Sequence, residues 1–288
     1  MTVSEGLLKK YPVRTFFALT LAISWSGLLV VGGAGFFAGS SWETDPRFLP
    51  AIQTMLLGPP VAGVLCTILF SGTRGLRELL RRLLRWRVRG RWYAVALFGA
   101  PLIQGSVLMA LSLSAPSYLP PIITSSERVD LLLPAIGYGI AGGFMEELGW
   151  TGFAIPRLRV RFNVLTTGVI VGVVWGVWHI LQMWWVGSTS FGGVAPGVFL
   201  PVYVSTAIAA LTAYRVLMVW VYDHTVSLFV AVLMHGSYIA CTLFLLAPPT
   251  TGMPFIVYST VFVTVLWIAV VVVARTSGLG GPVRSSEP

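Results

Sequence analysis

Residues 142–153 read Gly-Gly-Phe-Met-Glu-Glu-Leu-Gly-Trp-Thr-Gly-Phe and place two adjacent acids, Glu146 and Glu147, inside an apolar segment. The chain has ten acidic residues, and the others lie at segment ends, in connecting loops or in the tails. An ionised carboxylate in hydrocarbon costs about 2.5–3.5 kcal/mol at a helix centre on insertion scales. Two acids at such a depth therefore indicate a buried polar site.

The composition around this stretch is that of a membrane protein. Of 288 residues, 56% are hydrophobic and 10% are charged, whereas soluble domains carry about 25% charged residues. The two cysteines, Cys66 and Cys241, lie in apolar runs and are expected to be buried thiols without a disulfide. The length allows one helical bundle, so we expect a single all-α transmembrane domain over residues 1–276 and a disordered cytoplasmic tail over 277–288.

Runs of about 20 apolar residues, the length of a membrane-spanning helix, recur along the chain. Eight spans are predicted, at residues 14–37, 51–70, 92–113, 131–155, 164–185, 196–219, 225–246 and 253–274. With a cytoplasmic N-terminus, 17 of the 19 Lys and Arg residues, Arg215 among them, fall on the cytoplasmic side. This asymmetry follows the positive-inside rule and predicts a plasma-membrane protein, bacterial by expectation, with both termini in the cytoplasm. The net charge of +9 is then a topology signal, and nucleic acid is not an expected partner.

The segment Arg74–Arg91 is both basic and amphipathic. Its leucines recur at helical spacing while arginines take the other positions, which predicts an amphipathic helix on the cytoplasmic face of the membrane. Anionic lipid is the expected partner of this helix, because the cytoplasmic leaflet carries negative charge. A solvated basic loop is the other interpretation of the pattern.

Two of the three histidines also lie within apolar spans. At about 1.5 Å of rise per residue, Glu146, His179 and His235 can reach one zone, about 15–22 Å from the cytoplasmic ends of their helices. A carboxylate and an imidazole facing one cavity can take a proton from water, and a second imidazole can donate to an oxyanion. Alternatively, the three side chains could ligate zinc, or they could join helices by hydrogen bonds alone.

Three motifs in the chain resemble, in their order, those of the CPBP family of CAAX-protease, bacteriocin-processing and abortive-infection intramembrane proteins. These motifs are Glu146-Glu147-Leu-Gly-Trp-Thr151, Trp175-xxx-His179 and His235-xxx-Ile239. The family pattern is Glu-Glu-xxx-Arg, an aromatic-xxx-His and His-xxx-Asn. The resemblance implies an intramembrane endopeptidase that hydrolyses a prenylated or membrane-embedded peptide, with a catalytic core at about residues 70–246.

The resemblance also implies a role for each matching residue. Glu146 matches the glutamate that activates water together with the first histidine, here His179. His235 matches the histidine that supports the oxyanion, and Glu147 matches the second glutamate of the pair. The resemblance favours a site without a metal; if zinc is present, its ligands would be Glu146, His179 and His235.

Two positions depart from the family pattern. Thr151 stands where an arginine would lie one helical turn from Glu147, and Ile239 stands where an asparagine would complete the oxyanion hole. No other Lys or Arg is expected at that depth, so Glu147 is expected to be protonated as a result of desolvation or paired with a group that the sequence does not reveal. Tyr238 and Gln182 are the candidate supporting donors, because each lies three residues from a motif histidine.

The aromatic surroundings leave two other functions open. Trp150, Trp175 and Trp178 accompany the polar motifs. A neutral carboxylic acid among aromatic faces could protonate an alkene and stabilise a carbocation, which would suit a repurposed enzyme with an isoprenoid-like substrate; the same tryptophans could simply pack the bundle. A non-catalytic relative that binds a partner or confers immunity is the third possibility, because Thr151 and Ile239 alter the catalytic motifs.

Overall fold

The computed structural model describes residues 10–38, 41–277 and 279–280, so the predicted tail at 277–288 falls almost entirely outside it. The described part is helical and contains no strand, as expected of an all-α bundle. Its α-helices are α1 (Pro12–Ala38), α2 (Phe48–Leu56), α3 (Gly58–Leu83), α4 (Gly90–Ser112), α5 (Pro121–Thr124), α6 (Arg128–Gly149), α7 (Ile155–Arg159), α8 (Val164–Trp178), α9 (Ile180–Gly187), α10 (Pro196–Thr225), α11 (Leu228–Ala240) and α12 (Gly252–Ser277). A 3-10 turn lies at Pro116–Tyr118, and π-helical turns follow α6 and α11 at Trp150–Ala154 and Cys241–Leu245.

Among the described residues, six helical stretches are long and apolar enough to cross a membrane, against eight predicted spans. They are Pro12–Phe37, Phe48–Leu83, Gly90–Ser112, Pro196–Thr225, Leu228–Leu245 and Gly252–Ser277. Helices α8 and α9 make a seventh if they form one span, bent by 47°. The remaining predicted span, 131–155, is also helical, but its glutamates and glycines lower its hydropathy. The chain is thus an integral membrane protein with a polytopic helical fold.

Glycines let α6 approach α11 closely. Gly139 and Gly143 lie one turn apart on α6, and a Cβ atom at either would lie 2.6 Å from a backbone oxygen of α11, that of Gly236 or Val232. Small residues spaced four apart allow membrane helices to pack at backbone contact. The same face of α6 reaches Glu147 one turn later, so this packing brings that carboxylate against α11.

A second row of glycines joins α8 to α10. Cβ atoms added at Gly168 and Gly172 would lie 2.6 Å from the Cα atoms of Val216 and Thr212. Gly172 also faces Arg215, whose Cβ would lie 3.1 Å from such an atom. The absence of a side chain at Gly172 therefore lets Arg215 lie between the two helices.

The predicted amphipathic helix at Arg74–Arg91 is only partly helical. Helix α3 bends at Gly72, whose φ of +55° favours glycine, and ends at Leu83. Arg82 is buried rather than lipid-facing, and its Nη2 donates to the carbonyl of Gly152 at 2.9 Å. This segment therefore contacts the π-helical turn that follows the two glutamates. The spacing of the leucines could not indicate this contact, because it joins two different elements.

We predict that Gly143→Ala destabilises the bundle by about 1–3 kcal/mol, because the new methyl group must displace the backbone of α11. Gly137→Ala is the matched control, since a Cβ at Gly137 on the same helix meets nothing within 4 Å. The measurement is the midpoint of thermal unfolding in detergent for both variants. If Gly143→Ala unfolds at the wild-type midpoint, α6 and α11 are not in backbone contact.

Candidate active site

Glu147 lies at the centre of a buried ion-pair network. Nη1 of Arg215 lies 2.8 and 2.9 Å from its two carboxylate oxygens, and neither side chain is exposed. Nδ1 of His235 lies 2.7 Å from Oε1, and the hydroxyl of Thr151 donates to Oε2. Because a buried charge is tolerated when it is paired and hydrogen-bonded, these contacts stabilise an ionised Glu147. The expectation that no other Lys or Arg reaches this depth is wrong, because Arg215 pairs with Glu147.

Arg215 is a residue of this network that the sequence patterns did not reveal. It was expected at the cytoplasmic edge, but α10 continues to Thr225, so Arg215 lies ten residues, about 15 Å, from the end of its helix. It supplies the cation whose motif position is occupied by Thr151. The sequence does contain a signal for this residue, because the predicted span 196–219 includes Arg215. A charge inside a span indicates a functional residue by default.

Two indole groups hold Glu146. Nε1 of Trp175 lies 2.6 Å and Nε1 of Trp150 lies 3.3 Å from its Oε2 atom. The other oxygen, Oε1, lies 3.7 Å from Nε2 of His235. That distance is too long for a direct hydrogen bond, but it lets one water or substrate oxygen contact both groups. Glu146 therefore has one oxygen bound by the protein and one facing His235.

His179 lies at the bend between α8 and α9. At this bend the indole of Trp25, from α1, donates to the carbonyl of Trp178 at 3.0 Å. Nδ1 of His179 lies 2.9 Å from the Trp175 carbonyl oxygen; because a carbonyl only accepts, Nδ1 carries the proton and Nε2 the lone pair. His179 is half-buried, and within the described part of the chain it makes no hydrogen bond to Glu146. Trp175 connects the two side chains instead.

Trp175 contacts four residues of the site: Glu146, Arg215 and both histidines. Its ring centre lies 4.1 Å from the guanidinium carbon of Arg215 and 5.0 Å from the ring centre of His235. Its N–H binds Glu146 and its carbonyl accepts from His179. A guanidinium over an indole face is attracted to the ring electrons. One fully buried tryptophan thus sets the spacing of the two histidines and the first glutamate.

The other candidate residues lie around this network. The ring of Trp178 is 4.5 Å from that of His179. Tyr238 stacks on Tyr214 with ring centres 4.3 Å apart, and its hydroxyl has no hydrogen bond to the site residues that the structure describes. Gln182 lies in α9, beyond the bend, and makes no side-chain hydrogen bond to any described residue. The geometry therefore gives Trp178 a direct contact with the site and gives Tyr238 a packing contact.

Ile239 packs against α6 close to the first glutamate. A Cβ atom at Gly142 would lie 2.7 Å from its Cδ1 atom, and Gly142 is one turn before Glu146. The site consequently has an apolar side chain where the family pattern has an amide.

The zinc alternative would require Glu146, His179 and His235 to converge on one point. No group of three or more His, Cys, Asp or Glu side chains among the described residues is placed to hold one metal ion. Within the set Glu146, His179 and His235, the Nδ1 atom of His179 is bound to a backbone carbonyl, which leaves Nε2 as its possible ligand atom.

The segment that builds the site matches a known protease family. Residues 128–241 match the family model described as Type II CAAX prenyl endopeptidase Rce1-like, which confirms the resemblance to CAAX proteases over this segment. CAAX prenyl protease 2 of Methanococcus maripaludis is 30% identical over 47 residues, which are 16% of this chain and 17% of that protein. The chain therefore matches about a sixth of the length of this curated relative.

We predict that Arg215→Met destabilises the folded protein by about 3–5 kcal/mol, because it leaves the buried charge of Glu147 uncompensated. Glu147→Gln removes that charge, so the double variant should recover most of the lost stability. The measurement is a double-mutant cycle: the unfolding midpoints of the wild type, the two single variants and the double variant, all in one detergent. Strictly additive losses in the double variant would mean that the two side chains do not interact.

Proposed function

We propose that this chain is an intramembrane endopeptidase, a hydrolase that cleaves a prenylated or membrane-embedded peptide with water activated by Glu146. The observation that carries the proposal is the arrangement of Glu146, His179 and His235 around Trp175, within the segment that matches the CAAX prenyl endopeptidase model. The substrate class is that named for the relative from Methanococcus maripaludis, CAAX prenyl protease 2.

Water activation needs a proton acceptor beside the scissile carbonyl. Oε1 of Glu146 faces Nε2 of His235 at 3.7 Å, and a water at this position would give its proton to Glu146. The lone pair on Nε2 of His179 makes this histidine the partner that orients the water. The water oxygen forms the new C–O bond, and the proton passes to the leaving amine as the peptide C–N bond breaks.

The carbonyl oxygen becomes negative during this attack and needs a donor. Glu147 accepts from Nδ1 of His235, so a doubly protonated His235 would present its Nε2–H toward Glu146 and the carbonyl oxygen. We assign the oxyanion to this Nε2–H group. Ile239 cannot add a second donor, so the site uses fewer donors than the family pattern provides.

The tryptophans support this chemistry better than they support protonation of an alkene. Trp150 and Trp175 direct their N–H groups at Glu146, and such donors stabilise a carboxylate rather than a neutral acid. Arg215 lies 4.1 Å from the ring of Trp175, so that face is occupied by a cation already. An isoprenoid substrate and a non-catalytic binding role are therefore alternative outcomes of the test.

We also propose that anionic lipid contacts the basic segment Arg74–Arg91. Leu80, Leu84 and Trp86 are 53%, 64% and 58% exposed among the arginines. Apolar side chains of this kind insert between headgroups while neighbouring arginines bind phosphate. Arg82 is excluded from this role because it is buried. Activity is therefore best measured in vesicles that contain anionic lipid.

The protein in such vesicles should cleave a farnesylated CAAX peptide, with products identified by mass spectrometry. Glu146→Gln and His179→Ala should each lower the rate by about 10²–10⁴-fold, the usual contribution of general acid–base groups. Glu127→Gln is the matched control, because this carboxylate is exposed at the start of α6, and its rate should equal that of the wild type.

Three results would contradict the proposal in different ways. Glu146-dependent conversion of a prenyl diphosphate without peptide cleavage would identify an isoprenoid enzyme. No conversion of either substrate, with Glu146→Gln harmless in cells, would identify a binding protein. We expect cleavage to survive a chelator; its loss, with recovery on adding zinc, would replace the water activation assigned to Glu146 by metal chemistry.

Ile239→Asn should accelerate peptide cleavage, because an amide one turn from His235 supplies a second donor. A single oxyanion donor is worth about 10²–10³-fold in rate, and a donor introduced by substitution should recover part of that factor. Ile239→Val is the control, since it shortens the side chain without adding a donor. An unchanged rate for Ile239→Asn would place the oxyanion away from this turn of α11.

A further inference from the structure

We propose that Arg215 is a positioning residue: it delivers from α10 the cation that keeps Glu147 ionised and thereby fixes the orientation and proton of His235. For its catalytic consequence the inference rests on the proposed function. Arg215 acts through Glu147 and His235 and is assigned no contact with the peptide.

The location of Arg215 is set by packing on two sides. Nη1 bridges both carboxylate oxygens of Glu147 at 2.8 and 2.9 Å, and the guanidinium lies over the ring of Trp175 at 4.1 Å. Its Cβ atom faces Gly172, where a larger side chain would occupy its space. A long cationic side chain is thus fully buried between α6 and α8. Such burial is unfavourable unless an opposite charge pairs with the guanidinium.

The nearby arginines are engaged elsewhere. Arg82 donates to the Gly152 carbonyl, Arg157 donates to the Phe153 carbonyl, and Arg159 pairs with Asp223. Among the Lys and Arg residues of the described part of the chain, only Arg215 pairs with either glutamate of the motif. The positive charge of this site therefore comes from a helix distant in sequence, and Thr151 retains only a hydrogen bond to Glu147.

Charge balance explains what this cation does. One guanidinium faces one carboxylate, so the pair of Arg215 and Glu147 is neutral as a unit inside the bundle. An ionised Glu147 can only accept, which requires the proton on Nδ1 of His235 and directs Nε2 at Glu146. Without Arg215, Glu147 would take up a proton or remain uncompensated, and His235 would lose its charge-assisted partner.

The decisive comparison is between Arg215→Lys and the neutral pair Arg215→Met/Glu147→Gln. Neither variant leaves an unpaired charge at position 147. The lysine variant keeps an ionised glutamate there, whereas the neutral pair has an uncharged amide. We expect Arg215→Lys to retain most of the wild-type kcat, and the neutral pair to fold yet lose about 10–100-fold in kcat, as orienting partners do. KM should change little, because Arg215 is assigned no contact with the peptide. Equal kcat values for a folded neutral pair and the wild type would overturn the inference.

A second experiment moves the cation from position 215 to position 151. In Arg215→Met/Thr151→Arg the guanidinium comes from the turn after α6, four residues from Glu147, a spacing at which opposite charges pair. This variant should regain cleavage relative to Arg215→Met. Restored stability without restored cleavage would mean that Arg215 serves the fold alone.

Nitrogen NMR of histidine-labelled protein gives a readout that needs no substrate. The chain has three histidines, so His235 can be assigned by comparison with His235→Gln. We expect a protonated, hydrogen-bonded Nδ1 in wild type and Arg215→Lys, and its loss in the neutral pair. If the wild type cleaves no peptide, the proposed protease function fails, and this comparison still decides the role of Arg215; identical spectra would refute it.

Discussion

A pair of opposite charges enclosed in apolar surroundings, Glu147 and Arg215 at 2.8 Å, is the interaction on which the site depends. A lone carboxylate at this depth would be costly, and a lone guanidinium equally so. Together, and with hydrogen bonds from His235 and Thr151, they form a group that the bundle can enclose. Three helices must meet to make it: α6 carries the acid, α10 the guanidinium and α11 the imidazole.

The helices can meet at this distance because their contact faces lack side chains. Gly139 and Gly143 let α6 contact the backbone of α11, while Gly168 and Gly172 let α8 contact α10. Without a strong hydrophobic driving force in lipid, such close packing and interhelical polar contacts are what associate helices. The glycines therefore determine which polar side chains come into reach, and the ion pair stabilises the packing that they permit.

Adjacent residues on a helix point in different directions, and this separates the roles of the two acids. Glu147 faces Arg215 and Nδ1 of His235, where its charge is fully engaged. Glu146 faces the indoles of Trp150 and Trp175 and keeps one oxygen toward Nε2 of His235. His235 therefore lies between an acid that orients it and an acid that is free to react, which is the geometry that the proposed hydrolysis needs.

Sequence alone determined the membrane bundle, because hydropathy is a property of each segment, and it located the motif histidines and glutamates, because charges are rare in such segments. It did not determine the partner of Glu147. Residues 147 and 215 are 68 positions apart, and the end of α10, six residues beyond the predicted span, decides the depth of Arg215. Periodicity reports the faces of one helix, whereas an ion pair between helices depends on how closely glycines let their backbones approach, and only the tertiary structure contains that distance.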